Sequence, residues 1–197
     1  EKVTGEEAER LGLERLYHRV RADEETGIRL FQDMAEELTR YRLINRLRAL
    51  LNDANTYLLE RENSRLWRNY YNARIGQLSE QLDVAEKIYR TIDADESIEN
   101  KLRAYTLCAL GMIMSRWSRL NQPGDAEKVI NIFMRSFNLI QIDINLTEGL
   151  HKLAHLYRYL GKWDEALKIE IKIFEFYSQY NDEYGLLGTY GQMKMHH

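Results

Sequence analysis

The stretch that decides the fold is Leu150-His151-Lys152-Leu153-Ala154-His155-Leu156-Tyr157-Arg158-Tyr159-Leu160-Gly161-Lys162-Trp163-Asp164-Glu165-Ala166-Leu167. Its apolar residues recur at helical spacing on both sides of Gly161, which reads as two helices folded back on each other. Ala154 and Ala166 are small where the two helices must cross closely, Tyr157 fills the space between them, and Gly161 permits the turn.

Weaker copies of this unit lie upstream. Ala73 followed by Ala85-x-x-x-Tyr89 and Ile92 fits the template, and so does Leu110-Gly111 with Met114, followed after a longer turn by Val129-x-x-x-Phe133. The first-helix positions Ala73, Gly111 and Ala154 are spaced by 38 and 43 residues. A helix pair that cannot bury its face alone must stack on copies of itself, so the recurrence predicts a repeat array. Residues 24 to 58 hold either an eroded copy centred on Met34-Ala35 and Leu38 or one long helix. A further first helix is expected after Asn181-Asp182, in a register set by Gly185 or by Leu187-Gly188. Helix breaks are expected near Ala22-Asp23, Asn52-Asp53, Gly76 to Leu82, Asp93 to Ser97, Asn121 to Asp125, Asp143 to Thr147, Gly161-Lys162 and Asn181-Asp182, from their capping and breaking residues.

The unit resembles the tetratricopeptide repeat (TPR) in its long, roughly 40-residue form. Leu153-Ala154 stands where that family has Leu-Gly, Tyr157 matches the tyrosine that follows, and Gly161-x-Trp163-Asp164-Glu165-Ala166 matches its turn and second-helix small residue. Glu170 departs from the family's aromatic, Ile173 from its alanine and Ser178 from its proline. The resemblance implies an all-α fold, a right-handed α-solenoid of stacked antiparallel helix hairpins. The expected layout is one domain over 1–197, with repeats at 64–95, 97–142 and 147–180 and a partial repeat at 181–197.

Composition agrees with a helical chain and narrows its work. The 197 residues include one proline, where about 5% is usual. Leu139-Ile140-Gln141-Ile142-Asp143-Ile144 alternates too briefly to make a strand set and reads as a helix end and its loop. With 28 Lys+Arg against 31 Asp+Glu the net charge is −3, so nucleic acid is not an expected partner. No stretch approaches the roughly 20 apolar residues of a membrane span, so no membrane is expected among the partners. The lone Cys108 cannot form an internal disulfide, which together with the missing span predicts a cytoplasmic protein. Glu1 is neither an initiator methionine nor the start of a signal region, so the chain reads as a fragment of a longer protein, with His196-His197 a tag remnant.

Catalytic constellations are missing from the sequence. It holds no G-x-x-x-x-G-K, G-x-G-x-x-G or G-x-S-x-G, and Cys108 sits in an apolar run where thiols are inert. His151 and His155 share one helical face one turn after Glu148, a spacing two metal ligands could use, but no further Cys or His completes a tetrahedron. Acidic runs such as Asp93-Ala94-Asp95-Glu96 stand at helix starts, where they oppose the helix dipole. Arg40, Arg42, Arg46 and Arg48 form the densest basic run and read as a solvated face. The expectation is therefore no enzyme, no metal and no cofactor.

In the TPR pattern, first-helix residues flanking the Leu-Gly pair line a concave groove. Carried onto this sequence, the resemblance implies a partner-binding groove of Trp67, Tyr70, Arg74, Tyr105, Met112, Arg116, His151, His155, Arg158 and Tyr159. Each copy contributes an arginine beside an aromatic, which suits an acidic protein or peptide segment. The expected function is thus an interaction scaffold or regulatory module. Its alternative is a sensor arm of a larger signalling ATPase or transcription regulator, with a small molecule or peptide as effector. The far-UV circular dichroism spectrum should be nearly all-helical with no sheet component, since no segment alternates long enough to build one; a substantial sheet signal would overturn the solenoid.

Overall fold

The computed structural model describes residues 5–57, 62–116, 119–179 and 189, and among them every regular element is helical. The helices are α1 (Gly5–Ala22), α2 (Glu24–Arg40), α3 (Ile44–Tyr57), α4 (Glu62–Leu78), α5 (Leu82–Asp93), α6 (Asn100–Met114), α7 (Pro123–Phe137), α8 (Thr147–Tyr159) and α9 (Trp163–Gln179). They gather into two compact units, residues 1–99 with α1 to α5 and residues 100–197 with α6 to α9. Within the first unit α4 packs on α5 and α2 also touches α4; within the second α6 packs on α7, α8 on α9, and α6 touches α8. First helices of successive hairpins are thus neighbours inside each unit, as stacked repeats require.

Three hairpin turns are built alike. After α8 the Lys162 N–H returns to the Tyr157 carbonyl at 2.9 Å, with Gly161 left-handed at φ 69°. After α4 the Gln81 N–H returns to Gly76 at 2.8 Å around Glu80 at φ 62°, and after α2 the Leu43 N–H returns to Leu38 at 2.8 Å around Arg42 at φ 55°. Each bond satisfies a carbonyl that the helix end would otherwise leave open. Seven residues before the left-handed residue stand Ala154, Ala73 and Ala35, and five after it stand Ala166, Ala85 and Leu47, all with 0% exposure. The turn therefore sets the register in which small residues meet.

The α2/α3 turn settles the reading of residues 24 to 58 as two helices. The break expected at Asn52-Asp53 is absent, because α3 runs through it from Ile44 to Tyr57. Asn and Asp inside a helix cost only about 0.7 kcal/mol each relative to alanine. The buried stripe Leu47, Leu50, Leu51 and Ala54 on the same helix outweighs that.

In the second unit the α6/α7 connection is longer, and α7 begins at the chain's one proline, Pro123, whose missing N–H costs nothing in a first turn. Gly111 of α6 holds the close-approach position, for a Cβ there would come 2.8 Å from the Phe133 ring. Gly149 at the start of α8 is tighter still: a Cβ would meet Cys108 Sγ at 2.4 Å and the Phe133 and Phe137 rings at 3.3 Å. Residues 139–144 form no strand; Ser136 Oγ of α7 donates to the Ala104 carbonyl of α6 at 2.7 Å, and the loop after α7 is tied to α6 by the Tyr105 hydroxyl, which donates to Asp143. The partial repeat expected at 181–197, with Gly185, Leu187-Gly188 and His196-His197, lies outside the described residues apart from Thr189.

These glycines separate by substitution. Gly149→Ala should lower stability by about 1–3 kcal/mol through overpacking. Gly124→Ala, with nothing within 4 Å of the added methyl in α7, should be neutral or stabilising by up to about 1 kcal/mol. Chemical denaturation of both variants checks the pair; equal midpoints would contradict the close approach at Gly149.

Candidate partner-binding face

The residues expected to line a groove divide sharply by burial. In the first unit Trp67 is 0% and Tyr70 7% exposed. Their rings join an interior cluster: Trp67 stacks on Tyr71 at 5.8 Å, Tyr71 meets Phe31 edge-on at 5.6 Å, and Tyr70 lies 5.8 Å from Tyr89. Arg74 is half-buried and donates to Gln77 Oε1 at 2.8 Å. In the second unit Tyr105 is 2% exposed, its hydroxyl donating to Asp143 Oδ2 and accepting from Asn145 Nδ2 at 3.1 Å. Trp67, Tyr70 and Tyr105 are thus interior residues, because a large ring contributes more when it is buried than when it faces water.

The exposed members are concentrated on α8. Glu148, Lys152, His155 and Tyr159 fall at successive turns and all face solvent, Tyr159 at 44% exposure. His151 is half-buried and stacks on Tyr177 of α9, centroids 6.2 Å apart. On α6 and just past it, Met112 is half-buried and Arg116 exposed. The described part of the face is therefore a polar helix stripe with one tyrosine.

Arg158 has a structural task that its position in the sequence conceals. Its guanidinium pairs with Glu170 of α9, whose side chain is 0% exposed against 10% for the arginine, and its other nitrogen lies 3.1 Å from His155 Nδ1. The first unit holds a counterpart, in which the Tyr89 hydroxyl donates to Gln77 Oε1 at 3.1 Å. Gln77 and Arg158 each stand four residues beyond the small residue of their first helix, and Tyr89 and Glu170 each stand sixteen beyond it. One polar link across the hairpin is thus built twice with different chemistry. This explains the acidic residue where the family prefers an aromatic: Glu170 is buried because Arg158 meets it.

The same cluster controls the neighbouring imidazole. Desolvation, followed by the charges of Arg158, Lys152 and His151, holds the His155 pKa below the ordinary histidine value, so its neutral form, which can accept from Arg158, is favoured. Burial raises the Tyr157 hydroxyl above the usual tyrosine range. Among the described residues no group of three or more His, Cys, Asp or Glu side chains could hold a metal ion, and no helix is long and apolar enough to cross a membrane.

Removing one partner of a buried ion pair leaves the other charge uncompensated. Arg158→Met should therefore cost about 3–5 kcal/mol, and Arg158→Met with Glu170→Leu should cost clearly less than that single change. A double-mutant cycle from denaturant melts measures the coupling; additive losses would mean that the pair contributes nothing.

No family model matches the chain, and no curated protein matches it at a significant level. Among solved structures it is similar to the nearly identical TPR-like repeats of a protein described as a kinesin light chain from Podosopora anserina. The two share 14% sequence identity and superpose with a TM-score of 0.53 over 86% of this chain and 84% of that one. At this identity the likeness concerns the fold, and it agrees with the repeated turns and small residues described above. The chain has a TPR-like fold, all-α among the described residues, with antiparallel helix hairpins stacked within each unit.

Proposed function

We propose that the chain is a protein–protein interaction module, in which the solvent face of α8 holds an extended acidic segment of a partner protein. The observation that carries this reading is the run Lys152, His155 and Tyr159, exposed along one side of α8 beyond Glu148 of its first turn, with Arg116 exposed just past the neighbouring α6. A lysine and an arginine are suited to carboxylates, and the Tyr159 ring gives a side chain of the segment an apolar surface with a polar tip. Arg158 supports the face from beneath through Glu170 rather than binding the partner itself. Catalysis plays no part in this reading.

The second reading, a sensor arm whose effector is a small molecule, calls for a more enclosed cavity than the depression along α5. That depression is lined by Asp83, Glu86, Lys87, Arg90, Thr91 and Ala94, is open to solvent, and has its main cation, Arg90, already paired with Glu86 at 2.7 Å.

The test compares wild type with a Lys152→Glu, His155→Glu, Tyr159→Ser variant in titrations against acidic peptides and against partners captured from a native lysate. All three side chains are exposed, so melting should change by less than about 0.5 kcal/mol per site while affinity falls at least about tenfold. Undiminished binding by an equally folded variant would show that the α8 face does not carry the function.

A further inference from the structure

The turn between α2 and α3 joins charge and apolar surface in a way the interaction reading does not use. Arg40, Arg42, Arg46 and Arg48 are all exposed within nine residues that contain no carboxylate. Arg40 and Arg42 have no ion-pair partner among the described residues, and Arg48 reaches only the Ser79 hydroxyl at 3.4 Å. Between them Tyr41 is 63% and Leu43 38% exposed. The first turn of α3 has no acidic residue, in contrast with Asp83 on α5, Asp125 on α7 and Glu148 on α8, so no carboxylate of that turn offsets Arg40 and Arg42.

This tip is also held in one conformation. The Tyr41 N–H bonds the Glu37 carbonyl at 3.1 Å, the Arg42 N–H bonds Thr39 at 3.1 Å and the Leu43 N–H bonds Leu38 at 2.8 Å. Tyr41, Arg42 and Leu43 are therefore presented together by a hydrogen-bonded turn at the end of two helices. A cationic rim around an exposed tyrosine and leucine matches a surface with an anionic layer above an apolar one.

We propose that the α2/α3 turn is a peripheral contact site for an anionic lipid bilayer, with the arginines on the headgroups and Tyr41 and Leu43 at the interfacial layer. A folded acidic peptide would offer the charge without the apolar layer. Single-stranded nucleic acid would call for a series of stacking rings where the turn presents a single tyrosine. The contact is reversible and salt-sensitive, since each arginine near such a surface contributes about fivefold in partitioning.

The experiment is sedimentation of the 197-residue chain with phosphatidylcholine vesicles, pure or containing about 30% phosphatidylserine, at low and high salt. Binding to the anionic vesicles alone, lost at high salt, is the expected result. Arg40→Glu with Arg42→Glu should weaken it by at least about 25-fold and Tyr41→Ser by less, whereas Lys168→Glu with Lys172→Glu, of equal net charge, should leave it intact. Equal binding to both vesicles, no binding at low salt, or undiminished binding by the equally helical Arg40→Glu, Arg42→Glu variant would overturn the proposal. Retention of an RNA oligonucleotide or a polyglutamate peptide with no vesicle binding would do the same. Failure here leaves the α8 face untouched, because none of these variants alters it.

Discussion

Two helices joined by a short turn can approach closely only where their facing side chains are a methyl group or a hydrogen atom. That constraint is met at Ala35, Ala73 and Ala154, each fully buried, and at Gly111, where a Cβ would come to 2.8 Å of the Phe133 ring; Gly149 is the same device between hairpins, against Cys108 of α6 and the Phe133 and Phe137 rings of α7. The rest is organised around these points. The left-handed turn lies a fixed seven residues downstream in three hairpins, Phe133 packs against the Gly111 crossing in the second unit, and Trp67 and Tyr71 stack in the interior of the first. Leu47 stands in α3 where Ala85 and Ala166 stand in the other second helices, and α2 and α3 pack less extensively on each other than α4 and α5 do.

A second regularity lies above the crossing points. Gln77 with Tyr89 and Arg158 with Glu170 are the same span of chain closed by different bonds, one neutral and one ionic. The neutral link tolerates loss of one partner at the cost of a hydrogen bond, about 1 kcal/mol, whereas the ionic one leaves a buried charge if either side is removed. The second unit therefore depends on a pair of residues that the first does not need. The Arg158 charge, which spacing along the helix assigns to the groove, is met within the hairpin by Glu170.

What could be read from the sequence followed from side-chain size and spacing. The α8/α9 and α4/α5 hairpins are announced by Ala and Gly at their crossings. The α2/α3 turn is not, because Arg42 occupies the left-handed position and Leu47 stands where the other second helices have alanine; α4/α5 also has a non-glycine there, Glu80, but keeps Ala73 and Ala85. Asn52-Asp53 advertised a break that the buried leucines of α3 override. Face assignment was less legible, for a reason visible in α6. Leu102, the whole run from Ala104 to Gly111, and Ile113 are buried, so no polar stripe marks a solvent side. In such a helix the spacing that places Tyr105 beside Cys108 cannot say whether either is accessible. Glu170 looked like a departure from the repeat pattern, and its reason is a contact twelve residues away that spacing within one helix does not disclose.

Each of the three left-handed turns is closed by bonds reaching back only five residues or fewer, so each hairpin fixes its own register without reference to the next. Chain length between hairpins is then free to drift, and even within one hairpin the α6/α7 connection is longer while Gly111 still meets Phe133. Insertions and deletions in these connections should be absorbed locally, since lengthening a loop costs little and shifts no crossing point. An array built this way can gain or lose residues between its hairpins over evolutionary time while each hairpin keeps its own register, which accounts for spacings of 38 and 43 residues in one chain.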